Sequence, residues 1–292
     1  MRIIPESELV LNADGSIYHL ALHPGQVAHT ILTVGDPGRV ARISRHFDHL
    51  EVEQQKREFR THTGMIGGRR LTVISTGIGP DNIDIVVNEL DALVNIDLDT
   101  REEKPEKTVL NLVRVGTSGG LQADLEPGDL VAGSFGLGLD NVFHFYEYEN
   151  TPRESALLGA LNDHLAGIAP LPVEPYLFEG HPELLEALGV HMRKGITITS
   201  PGFYGPQGRH LRLQTRLRAE HLQKLESFSH EGRQIVNVEM ETAALYGLAR
   251  MLGHRALSCN TILANRPRGT FTRETGKAVD RLIREVLERL LA

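Results

Sequence analysis

Thr-Val-Gly-Asp-Pro-Gly-Arg-Val, residues 33–40, joins an apolar run to a helical one through a single glycine. The run that it closes, Thr30–Gly35, is short and β-branched, as a buried strand is. Beyond the glycine, Asp36 suits an N-cap and Pro37 the first helical position. The same grammar recurs along the chain. Leu71–Gly77, Leu112–Gly116, Asp129–Phe135, Gly195–Ser200, Ile235–Met240 and Ala256–Asn265 are apolar runs ending in glycine or a polar turn. Helical spacing lies between and after them: Ile83, Val86, Val87, Leu90 and Val94; then Ala244, Leu245, Leu248, Met251 and Leu252. The last stripe comprises Val279, Leu282, Ile283, Val286, Leu287, Leu290 and Leu291. Alternating strands and helices imply an α/β fold with a central sheet.

The 292 residues suit one large α/β unit, and nothing in the composition forces a second domain. A formal net charge of −7 argues against a nucleic-acid or anionic-membrane partner. No stretch approaches the roughly 18 apolar residues of a membrane span. The opening Met-Arg-Ile-Ile-Pro-Glu-Ser-Glu carries acids and no apolar core, so no signal peptide is expected and the cytoplasm is the default location. The single cysteine, Cys259, lies in a strand-like run and reads as a small core side chain. Asp97–Lys107 is a charged surface excursion, and the proline-rich Pro170–Glu179 reads as a loop. His46 and His49 read as solvated helix histidines, since no neighbouring ligand completes a metal site.

Four segments could carry chemistry. At Gly35 a turn without a side chain lets backbone N–H groups approach an anion, and Arg39 could clamp a phosphate; a plain strand-to-helix turn remains the alternative. Arg114 stands inside an apolar strand, where a charge is costly unless paired or functional. Thr117 and Ser118 follow at the end of the sheet where such folds bind ligands, and a structural salt bridge is the competing account. In Val-Glu-Met-Glu-Thr-Ala-Ala, residues 238–244, Glu239 and Glu241 fall on similar sides if the chain is extended, and a carboxylate there can grip two adjacent hydroxyls. The alternative is a helix start favoured by acids, which explains Glu241 better than Glu239. In Ser-Pro-Gly-Phe-Tyr-Gly-Pro-Gln-Gly-Arg, residues 200–209, Gln207 both donates and accepts, Arg209 is beside it, and Phe203 could stack on a flat ring; taken as a bare loop, an irregular connection is the favoured account.

These four segments, in this order, resemble the nucleoside phosphorylase family. So do Ile-Ser-Thr-Gly-Ile-Gly-Pro-Asp-Asn-Ile (74–83) and Ile-Leu-Ala-Asn-Arg (262–266), and the similarity runs from about Tyr18 to the final helix. The resemblance implies a single three-layer α/β/α domain spanning 1–292, with a central mixed sheet and a charged insertion near 97–107. It implies inorganic phosphate as co-substrate, bound by Gly35, Arg39, Arg114 and Thr117, with Arg57 reaching the neighbouring subunit's phosphate. Ribose would be held by Glu239, Met240 and Glu241, completed by His19 from the partner. At least a homodimer follows, and a hexamer is a family arrangement. Phe203, Gln207 and Arg209 resemble the uridine-specific branch, in which the glutamine and arginine bind uracil. Purine-specific relatives carry an aspartate after the late strand, where this chain has Ala264-Asn-Arg-Pro267. A hydrolytic nucleosidase would not need Arg39, Arg57 and Arg114 together; a non-catalytic nucleoside-binding protein is the remaining alternative. No organic cofactor is implied, while Glu58 and Ile78 match a potassium site at which Asn82 replaces a small hydroxyl.

Overall fold

The computed structural model of the chain describes residues 2–292. Its contacts divide into two compact units. The first holds the residues up to Val113, with Leu248–Arg255 and Leu291; the second holds Arg114–Gly247, with Ala256–Leu290 and Ala292.

In the first unit, β1 (Thr30–Val34) leads into α1 (Pro37–Ser44). Asp36 caps the helix as its position suggests, its Oδ1 accepting from the Gly38 amide at 2.8 Å. An antiparallel meander of β2 (His49–Lys56), β3 (Phe59–Ile66) and β4 (Arg69–Ser75) follows, and β1 joins β4 in parallel with Thr30 opposite Leu71. Neither β2 nor β3 belongs to the runs read as strands, because β2 is His-Leu-Glu-Val-Glu-Gln-Gln-Lys and buries no complete face. His46 lies in the turn after α1 and His49 opens β2, so both are exposed but neither is helical. Helix α2 (Pro80–Asn95) buries Ile83, Val86, Val87 and Leu90 on the expected face. The charged stretch that follows is a small hairpin, β5 (Ile96–Asp97) against β6 (Glu102–Glu103), with Asp97 Oδ1 accepting from the amides of Asp99 and Thr100.

The second unit takes up the chain within β7 (Asn111–Gly120), which continues four residues beyond its expected end. There follow β8 (Leu130–Gly138), α3 (Pro152–Leu165), β9 (Tyr176–Glu179), α4 (Pro182–Leu188), β10 (Arg193–Thr199), α5 (Ala219–Ser227), β11 (Ser229–His230) and β12 (Arg233–Glu239). The chain closes with α6 (Thr242–Met251), β13 (Arg255–Asn265), β14 (Thr270–Phe271) and α7 (Thr275–Leu291). The strand order is β11-β12-β10-β8-β13-β7. Strands β12, β10 and β8 run parallel, whereas β13 and β9 are antiparallel to β8, so the sheet is mixed, as the family resemblance implies. Phe135, Leu137, Leu177, Ile196, Ile198 and Ile235 build one continuous core. Here the loop expected at Pro170–Glu179 ends as a strand: Tyr176, Leu177 and Phe178 are buried, and the Tyr176 hydroxyl donates to Asp140 at 2.6 Å.

Cys259 is fully buried in β13, and burial pushes its thiol up to about 12. A thiol so shifted and sealed from solvent is inert in the native protein. Ellman's reagent should titrate no thiol in the folded protein and one per chain in guanidinium. A full equivalent released at once from native protein would contradict this packing.

Candidate active site

The second unit brings three of the singled-out residues into direct contact. Arg114 projects from β7 and is 5% exposed, Glu239 closes β12, and Glu241 precedes α6. An Arg114 Nη2 donates to Glu241 Oε2, Nη1 donates to Asn260 Oδ1 at 3.2 Å, and Nε stands 3.5 Å from Glu239 Oε2. Burial works against the Arg114 charge, but Glu241 and Glu239 outweigh it and hold the guanidinium above its ordinary range.

The two glutamates are not equivalent. Glu239 accepts from the Thr199 hydroxyl at 2.8 Å, from the Glu241 amide at 3.0 Å and from the Thr242 amide at 3.0 and 3.1 Å. It thus satisfies the first amides of α6, which otherwise lack acceptors at a helix start. The helix-start account offered for Glu241 applies instead to Glu239, and Glu241 stands beside the arginine. Burial pushes the Glu239 carboxyl up to about 7; Arg114 and the hydrogen bonds from Thr242 and Thr199 oppose the rise, while Glu241 adds to it. Met240 lies half-buried between them.

Gly116 determines how the Arg114 side chain lies. Residues two apart on a strand share a face, and the guanidinium folds over Gly116. A Cβ at that position would overlap Arg114 Nη1 and crowd Asn260 Oδ1. Thr117 is half-buried in the same strand; Ser118 accepts from Asn237 Nδ2 at 2.9 Å and Asn237 in turn accepts from Thr197 at 2.8 Å.

A second cluster forms on the 200–209 loop. Arg209 Nη1 donates to Gln207 Oε1 and, at 2.6 Å, to the Phe203 carbonyl. Its guanidinium lies 3.8 Å over the Phe203 ring. Gln207 is 3% exposed, and Arg266 Nη1 donates to its backbone carbonyl at 2.7 Å. Burial and then the neighbouring Arg266 push the Arg209 guanidinium down to about 10, which leaves it charged at neutral pH. Beside the loop opens a cavity of about 640 Å³ whose walls include Leu139, Val173, Tyr204, Pro206, Arg209 and Leu217. Its size suits a small-molecule site.

The remaining candidates belong to the first unit. Gly35 follows β1 so closely to another backbone that a Cβ would stand 3.3 Å from the Gly77 carbonyl. Arg39 occupies the first turn of α1. Arg57 sits at the tip of the β2–β3 hairpin with φ +54°, a left-handed conformation that a non-glycine residue adopts at a cost. His19 Nδ1 donates to Glu89 Oε1 at 2.6 Å. Asn82 Nδ2 donates to Glu58 Oε1 at 3.3 Å, and Ile78 is 70% exposed beside them. Among the described residues no group of three or more histidine, cysteine or acidic side chains gathers as a metal site, and no helix is long and apolar enough to cross a membrane.

Three participants escaped the sequence reading. Asn260 was visible as an odd polar residue within an apolar strand. Arg266 stood in a quoted motif without a role. Glu89 gave no signal, since its partner lies 70 residues away.

Comparison with known proteins bears on the whole chain. The family model described as the phosphorylase superfamily matches residues 29–292. A uridine phosphorylase of Thermococcus kodakarensis is 34% identical over 267 residues, which cover 91% of this chain and 82% of that protein. A DeoD-type purine nucleoside phosphorylase of Listeria monocytogenes is 29% identical over 247 residues, covering 84% and 85%. Among solved structures, a Trypanosoma brucei nucleoside phosphorylase described as showing uridine phosphorylase activity superposes with a TM-score of 0.85 at 27% identity, covering 97% of this chain and 99% of that one.

Gly116→Ala should lower the unfolding free energy by about 1–3 kcal/mol, the usual cost of overpacking. Because the clash is with a guanidinium, that cost should shrink in an Arg114→Leu background, and a double-mutant cycle in urea measures the difference. An unchanged penalty would place the strain elsewhere.

Proposed function

The chain belongs to the phosphorylase superfamily, and we propose that it acts within it as a uridine phosphorylase, a pentosyltransferase that splits uridine reversibly with inorganic phosphate into uracil and ribose 1-phosphate. One observation carries the base preference: the hydrogen bond from Arg209 to Gln207 Oε1. It fixes the glutamine amide, so the edge offered is a donor from Arg209, an acceptor at Oε1 and a donor at Nε2. Uracil offers the complement in O4, N3–H and O2. Cytosine, with an amino group and an unprotonated N3, mismatches at two of the three positions. Discrimination of this kind is strong because a mispaired buried polar group is expensive.

Arg266 argues the same way. Its neighbour Asn265 carries an amide, not an acid, and cannot protonate a purine; its Nδ2 donates to the carbonyls of Gln122 and Leu125, at 3.0 and 2.6 Å. A guanidinium cannot act as that acid, since it stays charged at neutral pH. Two arginines close to the base suit a leaving group that departs with negative charge spread over two carbonyl oxygens.

In this reading Arg114 and Thr117 are the phosphate ligands of the second unit, Gly35 and Arg39 are the phosphate ligands that the resemblance implies in the first, and Arg57 is supplied by a second subunit. The arginines neutralise it and fix it below the anomeric carbon, so that positioning carries much of the rate. The glycosidic bond loosens first and the sugar becomes oxocarbenium-like, as in other glycosyl transfers. Glu241 grips the 2′- and 3′-hydroxyls; its contact with Arg114 supports adjacent sugar and phosphate subsites. Glu239 acts by fixing Glu241, and Met240 lies under the ribose. A homodimer is the smallest assembly this requires, in which His19 and Arg57 cross to the partner, and a hexamer would be three such pairs. A cytoplasmic location belongs to the same reading. At Glu58 the carboxylate already accepts from Asn82 Nδ2, so the amide must turn its oxygen inward before the pair, with the Ile78 backbone, could hold a potassium ion. No step of the reaction passes through that ion.

Purified protein should release uracil from uridine only with inorganic phosphate present, and should leave inosine and cytidine intact. Release without phosphate would make it a hydrolase, and cleavage of inosine or cytidine would refute the edge assignment. Binding of uridine with no release would make it a nucleoside-binding protein. Arg209→Ala should reduce turnover by about 10²-fold, the usual cost of losing one preorganised donor to developing charge, with the circular dichroism spectrum unchanged. Turnover within twofold of the wild type would remove Arg209 from the mechanism.

A further inference from the structure

We propose that Glu89 is a positioning residue for the reaction: it holds the His19 imidazole in a single tautomer and orientation, so that Nε2 is presented to the 5′-hydroxyl of a nucleoside bound in a neighbouring copy of the chain. This rests on the reading above that His19 completes the partner's ribose subsite.

The segment that carries His19 is fixed although it is neither helix nor strand. Asn12 Nδ2 donates to Ser16 Oγ and to the Ile17 carbonyl, both at 2.9 Å. Lys56 Nζ ties the other side, donating to Asn12 Oδ1 at 2.8 Å and to the Tyr18 carbonyl at 2.5 Å. Leu20 and Leu22 are fully buried, and between them Ala21 takes a left-handed φ of +52°. Strain of that kind persists where the surroundings over-determine the backbone.

Glu89, on α2, is the hub of this arrangement. Its carboxylate accepts the His19 amide at 3.0 Å, the Leu20 amide at 2.9 Å and His19 Nδ1 at 2.6 Å. A carboxylate only accepts, so Nδ1 carries a proton and the Nε2 of the neutral ring is left with its lone pair. The Tyr18 and Phe59 rings meet the imidazole edge-on, at centroid distances of 4.8 and 6.3 Å. Among the described residues Nε2 has no hydrogen-bond partner, and the side chain stays 28% exposed while its neighbours Leu20 and Leu22 are sealed. A ring gripped from behind at one nitrogen and open at the other is built for an external contact. A sugar hydroxyl, which can donate to that lone pair, is the chemistry that matches, and with the 2′- and 3′-hydroxyls taken by Glu241 in the reading above, the 5′-hydroxyl is the one left for it.

If Glu89 merely tied down the turn, a glutamine that keeps one acceptor oxygen would serve nearly as well. Glu89→Gln instead places an amide donor within reach of Nδ1, which favours the opposite tautomer and turns Nε2 into a donor. Nitrogen-15 shifts of the His19 ring, read above its titration, should report protonated Nδ1 in the wild type and a shift toward protonated Nε2 in Glu89→Gln. In the same protein, once uridine turnover is seen for the wild type, Glu89→Gln should raise KM for uridine by about tenfold, the scale of one hydrogen bond, with kcat little changed. For 5′-deoxyuridine KM should stay within twofold, and in a His19→Ala background the substitution should have no further effect. An equal rise on both substrates, full additivity with His19→Ala, or a wild-type ring protonated at Nε2 would overturn the proposal. Should His19→Ala raise KM while Glu89→Gln does not, Glu89 alone is misassigned. Should His19→Ala leave KM for uridine unchanged, the ribose reading of His19 fails and takes this proposal with it.

Discussion

A guanidinium buried beside two carboxylates constrains much of the second unit. Taking ions out of water costs several kcal/mol each, and the cost is recovered only where geometry and additional hydrogen bonds are good. Around Arg114 that requirement spreads outward. Asn260 must offer its amide oxygen, Gly116 must lack a side chain, and Thr199 and the first amides of α6 must occupy Glu239. The hydroxyl of Thr242 then donates to Ser258 at 2.8 Å, and the Ser258 amide donates to Tyr246, whose own hydroxyl donates to the Gly133 carbonyl at 2.6 Å. Strands β7, β8, β12 and β13 are thus joined to α6 through polar side chains as well as through the backbone ladder. One charge embedded in an apolar strand recruits partners across the sequence, and those partners fix where Glu241 stands.

The parts of this architecture legible in the sequence were those whose signal is local. Seven buried strands announced themselves because each is a short apolar run ended by glycine or a polar turn, and α7 because its stripe is long and regular. The β2–β3 hairpin was hidden: His49–Lys56 is polar on most of its surface, so neither continuous apolarity nor clear alternation marked it. Tyr176–Glu179 was hidden for the opposite reason, being three apolar residues placed directly after a proline-rich stretch that pointed to a loop. The charged segment after α2 is mostly exposed, yet Asp97 turns it into an ordered hairpin by capping its own turn.

The candidate site divides along the same line. Gln207, Arg209 and Phe203 lie within seven residues of each other, so their association could be foreseen. Arg114 is conspicuous as a charge in a strand, and of the two accounts of it, ion pair or functional cation, the ion pair is present, made with a residue of the proposed ribose site. The division of labour between Glu239 and Glu241 was not visible, because it depends on which carboxylate the backbone of α6 turns its first amides toward. Contacts made at long range, such as Glu89 with His19, leave no trace in spacing or composition.

In the proposed reading, base recognition is one-sided: Arg209 and Gln207 would address three consecutive positions on one side of a pyrimidine ring, and Phe203 its face. None of these groups reports on the opposite side of the ring, where carbon 5 and carbon 6 lie. An edge of this kind sorts bases by tautomeric pattern and is blind to what is attached across from it, so uracil and its 5-methyl derivative look alike to it. Any preference between those two has to be set by steric room rather than by hydrogen bonding, and room can be altered by substituting apolar wall residues without disturbing the chemistry of the edge.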